Sequence, residues 1–326
     1  MEAGSSMTQL GRTGIDVFPL VLGGNTFGWT SDEASSHEVL DAFVAGGGTF
    51  IDTSDNYSAF VPGNSGGESE TIIGSWLAAR KNRDSVVIGT KVSIHPQFQG
   101  LAADNVAAAA DASLKRLGTD YIDVYYAHRD DASTPLAETA GAFEALRKAG
   151  KIRAVALSNY TGARITEWLE IARREGYEPP AVLQPDYNLV KRLPYEREIA
   201  PVATDAGIAV VPYFALASGF LTGKYRRKED FGEGPRQFLA NQFFSDAGLA
   251  VLDVLEEVAS AHAAEISTVA IAWLRGRPEV VAPIASARTV GQLPALLSSA
   301  TLELTADETA ALDEASARVG ERQAEY

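Results

Sequence analysis

Asp52, Lys91 and His128 each stand at the end of a strand-like run, and Tyr57 lies on the loop after the first of them. The runs are Thr49–Asp52, Val86–Lys91 and Ile122–His128. From Asp52 to Lys91 is 39 residues and from Lys91 to His128 is 37, each enough for one strand, one helix and two short loops. Polar side chains at the same ends of successive parallel strands meet in one basin. A phenol is a weak acid near neutral pH unless its anion is stabilised. A lysine ammonium within hydrogen-bond reach supplies that stabilisation, and a carboxylate keeps the ammonium charged and aimed. A histidine beside them is suited to polarising a carbonyl. Together the four are the parts of a site that delivers a proton to an oxygen becoming an alkoxide.

Taken singly, each residue has a plainer role. Tyr57 fits loop packing, Lys91 a strand end turning to solvent, and Asp52 the cap of a turn or helix. His37, His95 and His262 show that histidine also occurs elsewhere in the chain. It is the joint placement at one rim that points to catalysis.

The elements that must position them form a regular series. Strand-like runs occur at Val21–Gly23, Thr49–Asp52, Val86–Lys91, Ile122–His128, Ile152–Ser158, Val182–Pro185, Ile208–Tyr213 and Val280–Ile284. Most are continuously apolar, as strands covered on both faces are. Helical patterns fall at Glu33–Ala45, Glu68–Arg80, Ala102–Leu117, Leu136–Lys148, Ala163–Arg174, Glu196–Asp205, Leu249–Ala261 and Ala306–Ala317. Ser65 and Glu68 have capping-box spacing at the second of these. Eight strands alternating with helices predict an α/β protein, a closed (β/α)8 TIM barrel in preference to an open doubly wound sheet. Thr8–Phe18, with Gly11 and Gly14, reads as an N-terminal hairpin plugging the barrel. Some 70 residues separate strands seven and eight, and their Ser218–Asp246 part reads as a lid or binding loop. The reading is of one domain over residues 7–326, with residues 1–6 a remnant ahead of a natural start at Met7.

Bulk composition narrows the partners. The 326 residues carry a net charge of −15, with 43 acidic and 28 basic side chains. Such a surface repels phosphate backbones and anionic lipid, so neither nucleic acid nor membrane is an expected partner. The lack of cysteine excludes disulfides, thiolate nucleophiles and cysteine–zinc sites, and it fits a cytoplasmic protein. No stretch reaches the ~18 continuous apolar residues of a membrane span; Gly207–Leu221 comes nearest and is broken by Pro212 and Ser218. With no cysteine and no metal-binding motif, a hydride from a nicotinamide is the natural complement to the proton. The chain lacks the Gly-x-Gly-x-x-Gly of a Rossmann domain.

At this point the sequence resembles the aldo-keto reductase superfamily from Met7 onward. The resemblance rests on Leu10-Gly-Arg-Thr-Gly14, Phe50-Ile-Asp-Thr-Ser-Asp-Asn-Tyr57, Gly66-Gly-Glu-Ser-Glu-Thr-Ile-Ile-Gly74, Gly89-Thr-Lys91 and Leu114-Lys-Arg-Leu-Gly-Thr-Asp-Tyr-Ile-Asp123. It continues through His128-Arg-Asp130, Gly150-Lys-Ile-Arg-Ala-Val-Ala-Leu-Ser-Asn159, Gln184-Pro-Asp-Tyr-Asn188 and Gly219-Phe-Leu-Thr-Gly-Lys-Tyr225. It implies NADP(H)-linked reduction of a small-molecule carbonyl substrate by the tetrad Asp52, Tyr57, Lys91 and His128. It further implies that Ser158, Asn159 and Gln184 hold the nicotinamide amide and that Tyr213 stacks on its ring. Gly219, Leu221 and Lys224 would approach the pyrophosphate, and Ser286, Arg288 and Gln292 the adenosine phosphate. Gly24, Asn25, Phe214, Leu216 and Ile284 fall in the same rim segments and are expected to contact the cofactor too.

Two departures from the family pattern are visible. Leu296 stands where an asparagine usually meets the adenine, and Phe214-Ala215 replaces a usual Ser-Pro. Trp29, Phe60 and Tyr126 are expected to wall the substrate pocket. Two rival functions share the resemblance: a nicotinamide-holding module like potassium-channel β subunits, and a nucleotide-sugar ketoreductase with a wider mouth.

Overall fold

The computed structural model describes residues 7–232 and 237–323, with only the backbone for residues 320–323. The reading of residues 1–6 lies outside the described residues. Eight parallel strands form one sheet: β1 (Val21–Gly23), β2 (Phe50–Asp52), β3 (Val87–Val92), β4 (Ile122–Ala127), β5 (Ile152–Ser158), β6 (Val182–Gln184), β7 (Ala209–Val210) and β8 (Ile284–Ala285). Neighbours in sequence are neighbours in space from β1 to β7, while β8 lies against β1. Closure between β7 and the approach to β8 runs through a parallel bridge from Val210 to Val280 and the Ile284 N–H donating to Pro212 O at 2.9 Å. The sheet is therefore a barrel, as the alternation predicted.

Register aligns the site. Gly23 lies opposite Asp52, Asp52 opposite Gly89, and Lys91 opposite Tyr126. The interior is filled by Val21, Phe50, Val87, Val124, Tyr126, Ala156, Val182, Ala209, Val211, Ala282 and Ile284. Below them the antiparallel pair Thr8–Gln9 and Asp16–Val17 presses Leu10, Ile15 and Val17 into the same cluster. The hairpin closes the bottom of the barrel, which confines access to the C-terminal ends of the strands, where barrel enzymes carry their sites.

Around the barrel run α1 (Glu33–Ala45), α2 (Glu68–Arg80), α3 (Ala103–Leu117), α4 (Leu136–Lys148), α5 (Gly162–Glu175) and α6 (Ala200–Ala206). The expected start of α6 at Glu196 is replaced by a wide π turn over Tyr195–Ile199. Pro201 sits in the first turn of α6 and has no N–H with which to continue an i→i−4 ladder backward. The capping box forms only by half: Glu68 Oε1 accepts the Ser65 N–H at 2.7 Å, but Gly67 is the cap residue and receives no side-chain bond. The eighth strand also shifts. Val280 bridges to β7 while Ile284–Ala285 pairs with β1, because Pro283 between them has no N–H to give.

The long segment before β8 holds more structure than the sequence suggested. It contains a distorted turn at Ala217–Thr222, α7 (Gln237–Asn241), α8 (Asp246–Ala261) and α9 (Ile266–Arg275). Both α8 and α9 are amphipathic, and α9 buries Thr268–Leu274 while Ser267 and Arg275 stay partly open. Beyond β8 lie α10 (Leu293–Ser298) and α11 (Ala306–Gln323).

Candidate active site

Asp52 ends β2, Lys91 lies one residue before the end of β3, and His128 follows β4, its N–H bonded to Val92 O at 2.9 Å. Tyr57 reaches them from the β2–α2 loop. That loop is stapled to the one before α1: Ser58 Oγ donates to Phe27 O at 2.8 Å and Asn64 Nδ2 to Gly28 O at 3.0 Å. The phenol is thereby held over the barrel mouth rather than left to solvent.

The four groups meet within hydrogen-bond distances. Lys91 Nζ donates to Asp52 Oδ2 at 2.6 Å, to Tyr57 Oη at 2.9 Å and to Thr53 O at 2.5 Å. All three ammonium hydrogens are thus used. Gln184 Nε2 donates to the other Asp52 oxygen at 2.8 Å, so the carboxylate cannot rotate away from Lys91. Tyr57 Oη lies 3.5 Å from Asp52 Oδ2, long for an O–H···O bond. The Tyr57 and His128 rings meet edge to face at 6.3 Å.

Burial sets the electrostatics. Asp52 and Lys91 are 1% and 0% exposed. Burial lifts the Asp52 carboxyl above its ordinary range, with Lys91 pulling the other way. Burial likewise draws Lys91 below the usual lysine value, opposed by Asp52. His128 is held well below the normal histidine range, first by burial and then by Lys91 and Arg129. Its imidazole is therefore neutral near pH 7 and can polarise an oxygen without carrying charge.

Above the tetrad opens a cavity of about 800 Å³, within the usual range for a cofactor or ligand pocket. Asp52, Tyr57 and His128 line one part of it, and Ser286, Arg288, Gln292 and Leu296 another. Of the residues expected to meet a cofactor, Asn25, Ser158, Asn159, Gln184, Tyr213, Phe214, Leu216, Gly219, Lys224, Ile284, Ser286, Arg288 and Gln292 line it. Asn159, in a left-handed conformation, knits the rim: its Nδ2 donates to His128 O at 2.9 Å and its Oδ1 accepts from Tyr213 Oη at 2.7 Å. Phe214, Ala217, Ser218 and Gly219 also have positive φ. So many left-handed residues in one loop store strain of the kind found at ligand-binding turns.

The remaining expectations do not reach the cavity wall. Gly24 is turned the other way, where a Cβ would lie 2.9 Å from Ser69 Oγ, and its N–H donates to Asp52 O. Leu221 is fully buried in the outer core. Tyr126 points into the barrel interior, fully buried. Trp29 and Phe60 pack edge to face at 5.0 Å on neighbouring loops, and neither lines the cavity. Conversely, Thr30, Arg129, Glu265 and Ser267 do line it and were not foreseen. Arg129 directly follows His128, and that adjacency was the available signal. Glu265 and Ser267 arrive on the start of α9, which nothing in the local sequence ties to the rim.

The chemistry of the donor set accommodates a dinucleotide phosphate. Arg129, Lys224 and Arg288 all line the cavity, and none has a carboxylate partner among the described residues. Three uncompensated cations facing one space on a chain of net charge −15 are the expected signature of an anion-binding pocket. Among the described residues no cluster of His, Asp and Glu suited to a metal ion occurs.

Comparison with known proteins agrees with this geometry. Residues 19–317 match the model of the Aldo/keto reductase family. The chain is 30% identical to "Protein tas" of Escherichia coli, covering 94% of this chain and 96% of that one. It is 30% identical to "Norsolorinic acid reductase B" of Aspergillus parasiticus, covering 92% and 81%. It is also 32% identical to "Probable voltage-gated potassium channel subunit beta" of Arabidopsis thaliana, covering 87% and 88%. A barrel with this polar rim, matched to the family model over nearly its whole length, belongs to the aldo/keto reductase family.

Proposed function

We propose that this protein is an NADPH-dependent carbonyl reductase that converts an aldehyde or ketone to its alcohol. The observation that carries the reading is the Lys91 ammonium, bonded at once to the Asp52 carboxylate and to the Tyr57 hydroxyl at the base of a ligand-sized cavity. NADPH, when held there, would supply the hydride for the carbonyl carbon. Tyr57 gives its proton to the carbonyl oxygen, and the ammonium 2.9 Å away stabilises the charge left on the phenol. Asp52, fixed by Gln184, holds that ammonium in place. His128, neutral, receives the carbonyl oxygen from the other side.

Ser158, Asn159, Gln184 and Tyr213 would hold the nicotinamide, Gly219 and Lys224 the diphosphate, and Ser286, Arg288 and Gln292 the adenosine phosphate. Trp29 and Phe60 would border the substrate as a flap on the loops beside Tyr57. No helix among the described residues is long and apolar enough to cross a membrane.

The test is NADPH oxidation over a panel of aromatic and aliphatic carbonyls with the wild-type protein and with Tyr57→Phe. Turnover in the wild type, falling about 10²–10⁴-fold in the variant with NADPH binding unchanged, is expected for a positioned acid. Equal turnover by both proteins would remove Tyr57 from the role. The relative named for a potassium channel supports a second reading, a cofactor-holding module acting through a partner. Tight NADPH binding with no turnover on the whole panel would favour it.

A further inference from the structure

Behind His128 runs a chain of buried polar groups that the reaction above does not use. Ser54 Oγ lies 3.1 Å from His128 Nδ1, 3.3 Å from Asp55 Oδ1 and 2.8 Å from Asn56 Oδ1. Ser54 and Asp55 are both fully buried. The other Asp55 oxygen, Oδ2, has no hydrogen-bond partner among the described residues. The neighbouring carboxylate is quite different: Glu70, equally buried, accepts from Thr90 Oγ1 at 2.5 Å and from Arg116 Nε at 2.6 Å. Glu70 is thus compensated as an anion, whereas an ionised Asp55 would be a buried charge with an unsatisfied oxygen. Asp55 is therefore the neutral acid, and burial with Glu70 nearby lifts its carboxyl well above the usual range.

Counting protons then constrains the histidine. The Ser54 hydroxyl has one hydrogen to give to the three side chains around it, and its oxygen also accepts a long bond from the Asn56 N–H at 3.4 Å. Were that hydrogen given to Asp55 or Asn56, only an Nδ1–H could make the contact from His128. Nε2 would then meet the cavity as a bare lone pair, unable to donate to a carbonyl. A neutral Asp55 reverses the order: its O–H donates to Ser54, and the Ser54 hydrogen passes on to Nδ1. The Asn56 amide is compatible with this once its NH2 end faces Ser54, an orientation related by a simple amide turn.

We propose that Ser54 and Asp55 are positioning residues that hold His128 as its Nε2–H tautomer, so that the imidazole presents a hydrogen-bond donor to the substrate carbonyl. The inference rests on the reading of the site as a carbonyl reductase. It is tested first without turnover, by long-range ¹H–¹⁵N correlation spectra of the full-length protein labelled at histidine, near neutral pH. His128→Gln serves only to assign the signal. The Nε2–H pattern is expected, and an Nδ1–H pattern would overturn the proposal.

Kinetics gives an independent arm. Ser54→Ala should lower kcat about 10–100-fold, the usual cost of removing a partner that orients a functional histidine. KM for NADPH should stay put, and the tautomer signal should become mixed. Asp55→Asn, a neutral isostere, should keep kcat within about twofold. A large loss in Asp55→Asn would mean that Asp55 works as an anion, and an unchanged tautomer in Ser54→Ala would mean that Ser54 does not set it. Either result overturns the proposal. An inactive wild type with the Nε2–H signal intact would instead sink the reductase reading alone.

Discussion

Replacing Lys91 by methionine removes the one cation at the base of the site while nearly conserving volume. The side chain is fully buried, and all three of its ammonium hydrogens are engaged, by Asp52, Tyr57 and Thr53. Its loss leaves the Asp52 carboxylate buried with Gln184 as its one close donor. Breaking a buried ion pair from one side typically costs about 3–5 kcal/mol, so the urea midpoint at pH 7 should fall markedly at unchanged slope. The pH dependence has a definite sign. Burial already lifts the Asp52 carboxyl, and without Lys91 its folded value rises further above the unfolded one of about 3.9. A folded value above the unfolded value means that the folded state keeps a proton the unfolded chain gives up. The variant's penalty is therefore absent below about pH 4 and grows as pH rises through the folded value.

Adding Asp52→Asn to Lys91→Met should restore about 0.5–3 kcal/mol, because a carboxamide leaves no orphan charge. Turnover should stay low in both, by about 10²–10⁴. Intrinsic tryptophan fluorescence across a urea series at several pH values reads the stability, and NADPH oxidation reads the activity. If Lys91→Met unfolds with the wild type at pH 7, or the double variant is no more stable than the single one, the pair is not the buried ion pair described.

Two further outcomes follow from single residues. Arg288, exposed at the cavity and without a carboxylate partner among the described residues, should recognise the 2′-phosphate. Arg288→Ala is expected to weaken NADPH binding about tenfold to a hundredfold, the worth of a charge-assisted hydrogen bond, and to leave NADH unchanged. Fluorescence titration with both cofactors decides it, and equal losses would move the phosphate to Lys224 and Ser286. Gly74 lies where α2 meets α3, and a Cβ there would stand 2.1 Å from the Arg116 carbonyl oxygen. Gly74→Ala should destabilise the protein by about 1–3 kcal/mol through overpacking, despite the better helix propensity of alanine; an undiminished melting temperature would show that α3 yields freely.

The rim that gathers Asp52, Lys91 and His128 was legible because strand ends are written locally. A continuous apolar run that stops at a charged residue marks both the strand and its exit, and Asp52, Lys91 and His128 are such residues. Equal spacing then implies a common edge, since each βα unit brings the chain back to the same side of the barrel. The hairpin plug was legible for a similar reason, with two glycines permitting a tight turn between short apolar runs. What lay beyond the sequence was everything decided by which face a residue turns to. Tyr126 lies two residues before His128 and opposite Lys91, on the same inward face, yet one layer deeper its ring is buried in the barrel core. Gly24 adjoins Gly23 and Asn25, which do line the cavity, but its own face is closed by Ser69. Glu265 and Ser267 enter the site only because the β7–β8 excursion folds back over it, and the amphipathic pattern of α9 says which face is buried but not against what. Ser54, two residues past the end of β2, reads as an ordinary loop serine until its hydroxyl is seen against His128. Local pattern fixes where the chain turns; contacts between segments far apart in sequence depend on packing that no single segment encodes.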